Sequence, residues 1–210
     1  MALRILLADD HQIVRQGLKA ILEREGFNVV GEASDGHEAV RRARELHPDV
    51  AVLDLTMPLL TGIGAAREII QAEPKVKTVL LTVHTEEQYV LEALRAGVRG
   101  YVLKSRAAGE LVQAIRDVSK GLIYLSPGIS EAVVEAYLGK TELRSEPLTP
   151  RELQVLQLVA EGKTTKEVAA LLGISFKTAE SHRTRIMEKL DIHETAGLVR
   201  YAIRRGLVQP

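Results

Sequence analysis

The stretch Asp49–Gly62, "DVAVLDLTMPLLTG", decides how this chain is read. Val50–Leu53 is a short apolar run without polar alternation, the pattern of a strand buried on both faces. It ends in one carboxylate, Asp54, and the run "TMP" follows with Pro58 as a stop. A lone acid there reads most simply as a loop carboxylate or a helix cap. What lifts Asp54 above that reading is the company it keeps at other strand ends.

Similar short runs rich in Val, Ile and Leu sit at Arg4–Ala8, Asn28–Ala33, Thr78–Thr82 and Gly100–Leu103. Amphipathic stretches separate them. Ile13, Gly17, Ala20 and Ile21 share one helical face. Ala39, Ala43 and Leu46 share another, and Val90, Leu91, Leu94 and Ala96 a third. A fifth helix is expected from about Ala108 to Lys120. Five β-α units at this spacing predict a doubly wound, five-stranded parallel sheet with helices on both faces, flavodoxin-like in the order 2-1-3-4-5. Functional groups in such sheets collect at the carboxyl ends of the strands, near the switch in strand order.

Strand one ends in Asp9 and Asp10, and in that order it neighbours strand three, so both acids meet Asp54 at one rim. Crowded carboxylates raise one another's pKa values. Their oxygen donors and negative charge suit a hard divalent cation, Mg²⁺. Strand four ends in Thr82, a hydroxyl, and strand five in "GYVLK", which brings Lys104 to the same edge. An acid cluster, a metal, a hydroxyl and a cation together suit a phosphoryl group on Asp54.

The remainder divides in two. Gly121–Pro147 holds one helical piece, about Ser130–Leu138, and a polar, charged remainder, Lys140–Pro147, and reads as a linker. From Thr149 the pattern is all-α. "TPRE" opens a helix with a capping Thr149, Pro150 at the first position and Glu152 closing the box. Four helices are expected at about Pro150–Glu161, Thr165–Leu172, Phe176–Leu190 and Thr195–Arg205, with Gly173 between the second and third, as in a helix-turn-helix. The expected domains are 1–120, 121–147 and 148–210.

Composition agrees. The 210 residues carry 28 basic and 28 acidic side chains, but the charge is uneven: −3 up to Pro147 and +3 from Leu148 onward. A basic end behind an acidic body points to nucleic acid. Zero cysteines exclude disulfides and thiolate metal sites. Few aromatics argue against stacking platforms for single strands. No long apolar run or secretory leader is present, so a cytoplasmic location with no membrane partner is expected.

Residues 3–120 resemble the receiver domain of two-component response regulators, on "DD" at 9–10, "DLTMP" at 54–58, Gly62, Thr82 and "GYVLK" at 100–104. Residues 148–210 resemble the LuxR-type helix-turn-helix, on "LTPRELQVLQLVAEGKTTKEVAALLGIS" and "KTAESHRTRIMEKL". Together they are similar to the NarL/FixJ class. The resemblance implies that Asp54 is phosphorylated by a sensor histidine kinase. It implies that Asp9, Asp10, Asp54 and the Thr56 backbone carbonyl hold Mg²⁺, that Lys104 and Thr82 assist, and that Thr82 and Tyr101 switch conformation. It also implies a non-enzymatic regulator that dimerises when phosphorylated, binds promoter DNA and meets RNA polymerase. On the recognition helix Glu180, Ser181 and Thr184 fall on one face for bases, and Lys177, Arg183 and Arg185 reach phosphates. Many receivers place proline after the lysine through a cis bond. Here it is Ser105, and a non-proline cis bond costs about 2.5–4 kcal/mol, so the geometry of Lys104–Ser105 is open at this level.

Two other readings compete. Aspartyl-phosphate hydrolases of the haloacid dehalogenase type place a second Asp two residues after the nucleophile, where this chain has Thr56. Autoinducer-sensing LuxR regulators need an aromatic-lined pocket, and the N-terminal half has few aromatics.

Overall fold

The computed structural model describes residues 2–129 and 147–208, which fall into two compact units. The expected helix at Ser130–Leu138 lies outside the described residues.

The first unit alternates strand and helix: β1 (Arg4–Ala8), α1 (Gln12–Arg24), β2 (Asn28–Ala33), α2 (Gly36–Leu46), β3 (Val50–Asp54), α3 (Gly62–Ala72), β4 (Lys77–Thr82), α4 (Glu87–Arg95), β5 (Gly100–Leu103), a 3₁₀ turn at Lys104–Arg106, and α5 (Ala107–Ser119). All strand pairings are parallel, and with a further strand, β6 (Tyr124–Leu125), the order is β2-β1-β3-β4-β5-β6. The sheet is therefore doubly wound, as expected, with one strand more. β6 pairs with Gly100 and Tyr101 from within the segment read as linker. Two residues are too few to leave a periodic signal.

Every residue of β3 is buried, which explains its unbroken apolar run. Ile5, Leu7, Val50, Val52, Val79, Leu81 and Val102 pack on one side of the sheet against α1 and α5. Helices α2 and α3 pack against each other and against β1 to β4. On α1 the expected inward face is corrected. Leu18 and Leu22 are the buried residues, whereas Ile13 is 86 % exposed. The α1 apolar residues are spread around the helix, so periodicity alone did not choose between the two stripes.

The second unit is all-α: α6 (Pro150–Ala160), α7 (Thr165–Leu171), α8 (Phe176–Leu190) and α9 (Thr195–Arg204). The expected capping box of α6 is present: Thr149 accepts from the Glu152 N–H, and Glu152 accepts from the Thr149 N–H. A second box, Thr164 with Glu167, opens α7. Gly173 takes φ +63 in the turn, and Ser175 caps α8 by accepting from the Thr178 N–H. Leu156, Leu158, Val168, Ala179, Ile186, Leu198 and Ala202 form the core. Glu152 is also buried, and Lys189 Nζ meets its Oε2 at 2.7 Å, joining α6 to α8. Burial alone would raise the Glu152 pKa. The bonds from Lys189 and Thr149 outweigh it and hold the carboxyl down to about 2.

Candidate phosphoacceptor site and nucleic-acid interface

Asp9 follows β1 and Asp54 ends β3, and the pairing of β1 with β3 sets the two side by side. Both are almost fully buried. Asp10 is partly exposed, and His11 Nδ1 lies 2.8 Å from its Oδ1. Lys104, at the end of β5, crosses the intervening strand β4 to reach them. Its Nζ sits 2.9 Å from Asp9 Oδ2 and 2.8 Å from Asp54 Oδ2. Burial pushes the Asp54 carboxyl up, and the Lys104 charge pulls it back, leaving it near 6. Burial pulls the Lys104 ammonium down, but Asp54 and Asp9 outweigh it, and its pKa rises. The ionised Asp54 carboxylate is the nucleophilic form, and burial with Lys104 at its side sets how readily that form is reached.

The local chain is built to turn sharply just behind this carboxylate. After β3 the loop turns back, and the Gly62 N–H donates to the Leu55 carbonyl at 2.8 Å. A Cβ at Gly62 would stand 2.1 Å from the Asp54 carbonyl oxygen, so only glycine permits the approach. Thr61 then caps α3 by accepting from the Gly64 N–H. Thr56 lies half-buried in the loop, two residues beyond Asp54.

Oxygen atoms of Asp9, Asp10 and Asp54, with a His11 nitrogen, all lie within 4.8 Å of one another. Asp9 Oδ2 and Asp54 Oδ2 face the Lys104 ammonium and Asp10 Oδ1 faces His11 Nδ1, and these oxygens take no well-directed hydrogen bond among the described residues. Clustered, under-bonded carboxylate oxygens fit a hard divalent cation. His11 was not singled out from the sequence, although its place directly after the acid pair was signal enough.

Thr82 is buried at the end of β4, and its Oγ1 accepts the His84 N–H at 3.0 Å. Tyr101, the other expected switch residue, has its ring inside, 1 % exposed, and its hydroxyl donates to the His84 carbonyl at 3.1 Å. Burial raises its pKa. Thr82 and Tyr101 thus grip the same residue, one at its N–H and one at its carbonyl. Among the described residues no peptide bond is cis, so Lys104–Ser105 is trans, within the 3₁₀ turn Lys104–Arg106.

On α8, Lys177, Glu180, Ser181, Thr184 and Arg185 are exposed. Arg183 is half-buried, and its Nη2 donates to Thr195 Oγ1 at 2.6 Å, tying α8 to the start of α9. The Thr184 hydroxyl donates back to the Glu180 carbonyl at 3.2 Å. The helix therefore offers a polar face with two free-standing cations, Lys177 and Arg185, beside a capped N-terminus that favours anions.

A parallel sheet with two buried aspartates gripped by a lysine and a third aspartate beside them, in a chain that also carries a capped helix-turn-helix, defines a receiver-type regulator. The response regulator receiver domain family matches residues 5–116, and the bacterial regulatory proteins of the luxR family match residues 146–202. The chain belongs to the NarL/FixJ class of two-component response regulators, transcription regulators with a receiver and a LuxR-type DNA-binding domain. It is 42 % identical to the transcriptional regulatory protein LiaR of Bacillus subtilis over 209 residues, covering 98 % of this chain and 99 % of LiaR. It is 39 % identical to the response regulator UvrY of Escherichia coli over 208 residues, covering 98 % and 95 %. Among solved structures it is similar to RcsB from Salmonella enterica serovar Typhimurium bound to promoter P1flhDC in the presence of phosphomimetic BeF3⁻ (30 % identity, TM-score 0.66, covering 96 % and 98 %).

Proposed function

We propose that this regulator accepts a phosphoryl group on Asp54 from a sensor histidine kinase, and that phosphorylation releases its C-terminal domain to bind promoter DNA as a homodimer. The observation that carries the reading is the Lys104 ammonium within 3 Å of both Asp9 and Asp54 at the carboxyl edge of the sheet. An Asp54 oxygen attacks phosphorus, the bond from phosphorus to the kinase imidazole breaks, and the imidazole leaves. Lys104 then turns its charge to the new phosphoryl oxygens, and the Thr82 hydroxyl donates to another. Asp9, Asp10, Asp54 and the Thr56 carbonyl would hold Mg²⁺, which when bound would supply positive charge to offset that of the transferred group. Exposed Ile13 and Val14, at the start of α1 beside Asp10, offer the kinase an apolar contact.

The switch runs through His84. When Thr82 moves to the phosphoryl oxygen it releases the His84 N–H, and the bond from Tyr101 to the His84 carbonyl is free to re-form elsewhere. Such coupling needs only a few kcal/mol between two states. The acidic N-terminal part (−3) masks the basic C-terminal part (+3) before phosphorylation. A single helix-turn-helix buries little surface, so paired half-sites supply useful affinity. RNA polymerase is the next partner once the promoter is occupied. Among the described residues no helix is long and apolar enough to cross a membrane, and a cytoplasmic location belongs to this proposal. The receiver then takes in β6, so its limit lies beyond residue 120, with 148–210 as the DNA-binding domain.

Acetyl phosphate with Mg²⁺ should label wild-type chain on Asp54, and Asp54→Asn should abolish labelling. Thr82→Ala should keep most of the phosphate uptake while losing the downstream response. Intact mass and peptide mapping read both, and phosphate on a Ser, Thr or His would overturn the assignment.

A further inference from the structure

Ser126 is fully buried just past β6, and the phosphoacceptor chemistry does not use it. Its N–H donates to the Tyr101 carbonyl at 2.9 Å. Its hydroxyl donates to Glu110 Oε2 and accepts the Leu103 N–H, the latter at 3.1 Å. Strand pairing between β5 and β6 ends at Tyr101 and Leu125. The Ser126 hydroxyl therefore carries the pairing further along β5, to the residue immediately before Lys104. Glu110, in the first turn of α5, also meets Arg106 Nη1 at 3.3 Å. One carboxylate and one hydroxyl thus hold both sides of the turn Lys104–Arg106.

That turn needs holding. The Lys104 side chain has four rotatable bonds, and its tip is placed only as well as its backbone is. Ser105 leaves the backbone after Lys104 freer than a proline would. Displacing a charged group by an ångström is enough to cost a reaction heavily.

We propose that Ser126 and Glu110 are positioning residues for Lys104. They pin the end of β5 so that the ammonium meets Asp9 and Asp54 together. The inference rests on the reading of Asp54 as phosphoacceptor. It predicts two changes of opposite sign. When the clamp is broken, Lys104 assists phosphoryl transfer less well. It also neutralises the carboxylates less well, so they attract a divalent cation more strongly. A merely structural hydroxyl would lower thermal stability without moving these two quantities apart.

The test uses the full-length chain as wild type, Ser126→Ala, Ser126→Thr, Lys104→Ala and the double variant. Three quantities are read well below the melting temperature: the rate of labelling by acetyl phosphate, the apparent Mg²⁺ affinity without phosphodonor, and Tm. Ser126→Ala should label about three- to tenfold more slowly and bind Mg²⁺ about two- to threefold more tightly. Ser126→Thr, which keeps the hydroxyl, should restore both. Lys104→Ala should show both changes more strongly, and adding Ser126→Ala to it should tighten Mg²⁺ no further. Wild-type labelling and Mg²⁺ affinity in a Ser126→Ala chain of lower Tm would overturn the proposal. So would an equal tightening with and without Lys104. If Ser126→Ala fails to fold, Glu110→Gln, which frees Arg106 and weakens the hold on Ser126, should give the same pair of changes in smaller measure. A wild-type chain that takes no phosphate would defeat the phosphoacceptor reading, while the Mg²⁺ comparison would still decide the clamp.

Discussion

Replacing Asp54 with Asn should stabilise the protein at neutral pH even as it removes the proposed function. Burial lifts the Asp54 carboxyl from 3.8 to about 6, with Lys104 acting in the opposite direction. The folded chain therefore keeps a proton that the unfolded chain has already released. The stability linked to this group is full below the unfolded pKa, falls as pH rises toward 6, and stays low above it. Roughly two pKa units at about 1.4 kcal/mol each make a penalty of about 3 kcal/mol at pH 7. Asn removes that penalty but also one of the two carboxylates facing Lys104, which keeps Asp9. The net gain should be about 1–3 kcal/mol, or roughly 3–9 °C in the melting temperature of a unit this size. Calorimetry of the full chain in chelator, at pH 7 and again near pH 4, gives the comparison. The gain should be present at pH 7, absent near pH 4, and reduced at pH 7 by Mg²⁺, which neutralises Asp54 only in the wild type. An Asn variant that is less stable at pH 7, or equally favoured at both pH values, would refute the reasoning.

Gly62→Ala should cost about 2–4 kcal/mol in urea unfolding, because the new Cβ meets the Asp54 carbonyl oxygen at 2.1 Å. Gly109→Ala, in open space on α5, should instead gain about 0.5–1 kcal/mol. In the second unit the Glu152 carboxyl is depressed to about 2, so its contribution is present above the ordinary 4.5 and lost as pH falls from there toward 2. Lys189→Met should weaken that unit by about 1–2 kcal/mol, less than a fully buried pair would lose because Lys189 is partly exposed, and acid unfolding followed by circular dichroism reads both effects. Lys177→Ala should reduce the salt dependence of DNA binding by about one unit of slope for all sequences alike, whereas Glu180→Gln should change which sequence wins, as competition binding would show.

The strand and helix limits were legible because buried parallel strands and capped helices leave strong local signals. The Val50–Leu53 run and the Thr149–Glu152 box both appear in the structure within a residue of where the pattern places them. The acid triad was legible because strand order alone brings Asp9 to Asp54. Three features were not. The inward stripe of α1 was assigned to the side of Ile13, because apolar residues occupy more than one face and only packing selects Leu18 and Leu22. Strand β6 has two residues and owes its existence to the exposed edge of β5, a tertiary cause. The bond from Arg183 to Thr195 was the third, because the two lie twelve residues apart and only the fold brings them together. The Ser126–Glu110 clamp has the same origin: its members are sixteen residues apart and meet only when β6 docks.

The central claim is that phosphate on Asp54 controls DNA binding. One measurement tests it most directly: the affinity of full-length protein for a single promoter fragment, at fixed salt and Mg²⁺, with and without acetyl phosphate, beside Asp54→Asn and the fragment 148–210. The account predicts that phosphodonor tightens wild-type binding, leaves Asp54→Asn unchanged, and that the fragment binds without any need of phosphodonor. Wild-type protein that binds equally tightly in both conditions would contradict it.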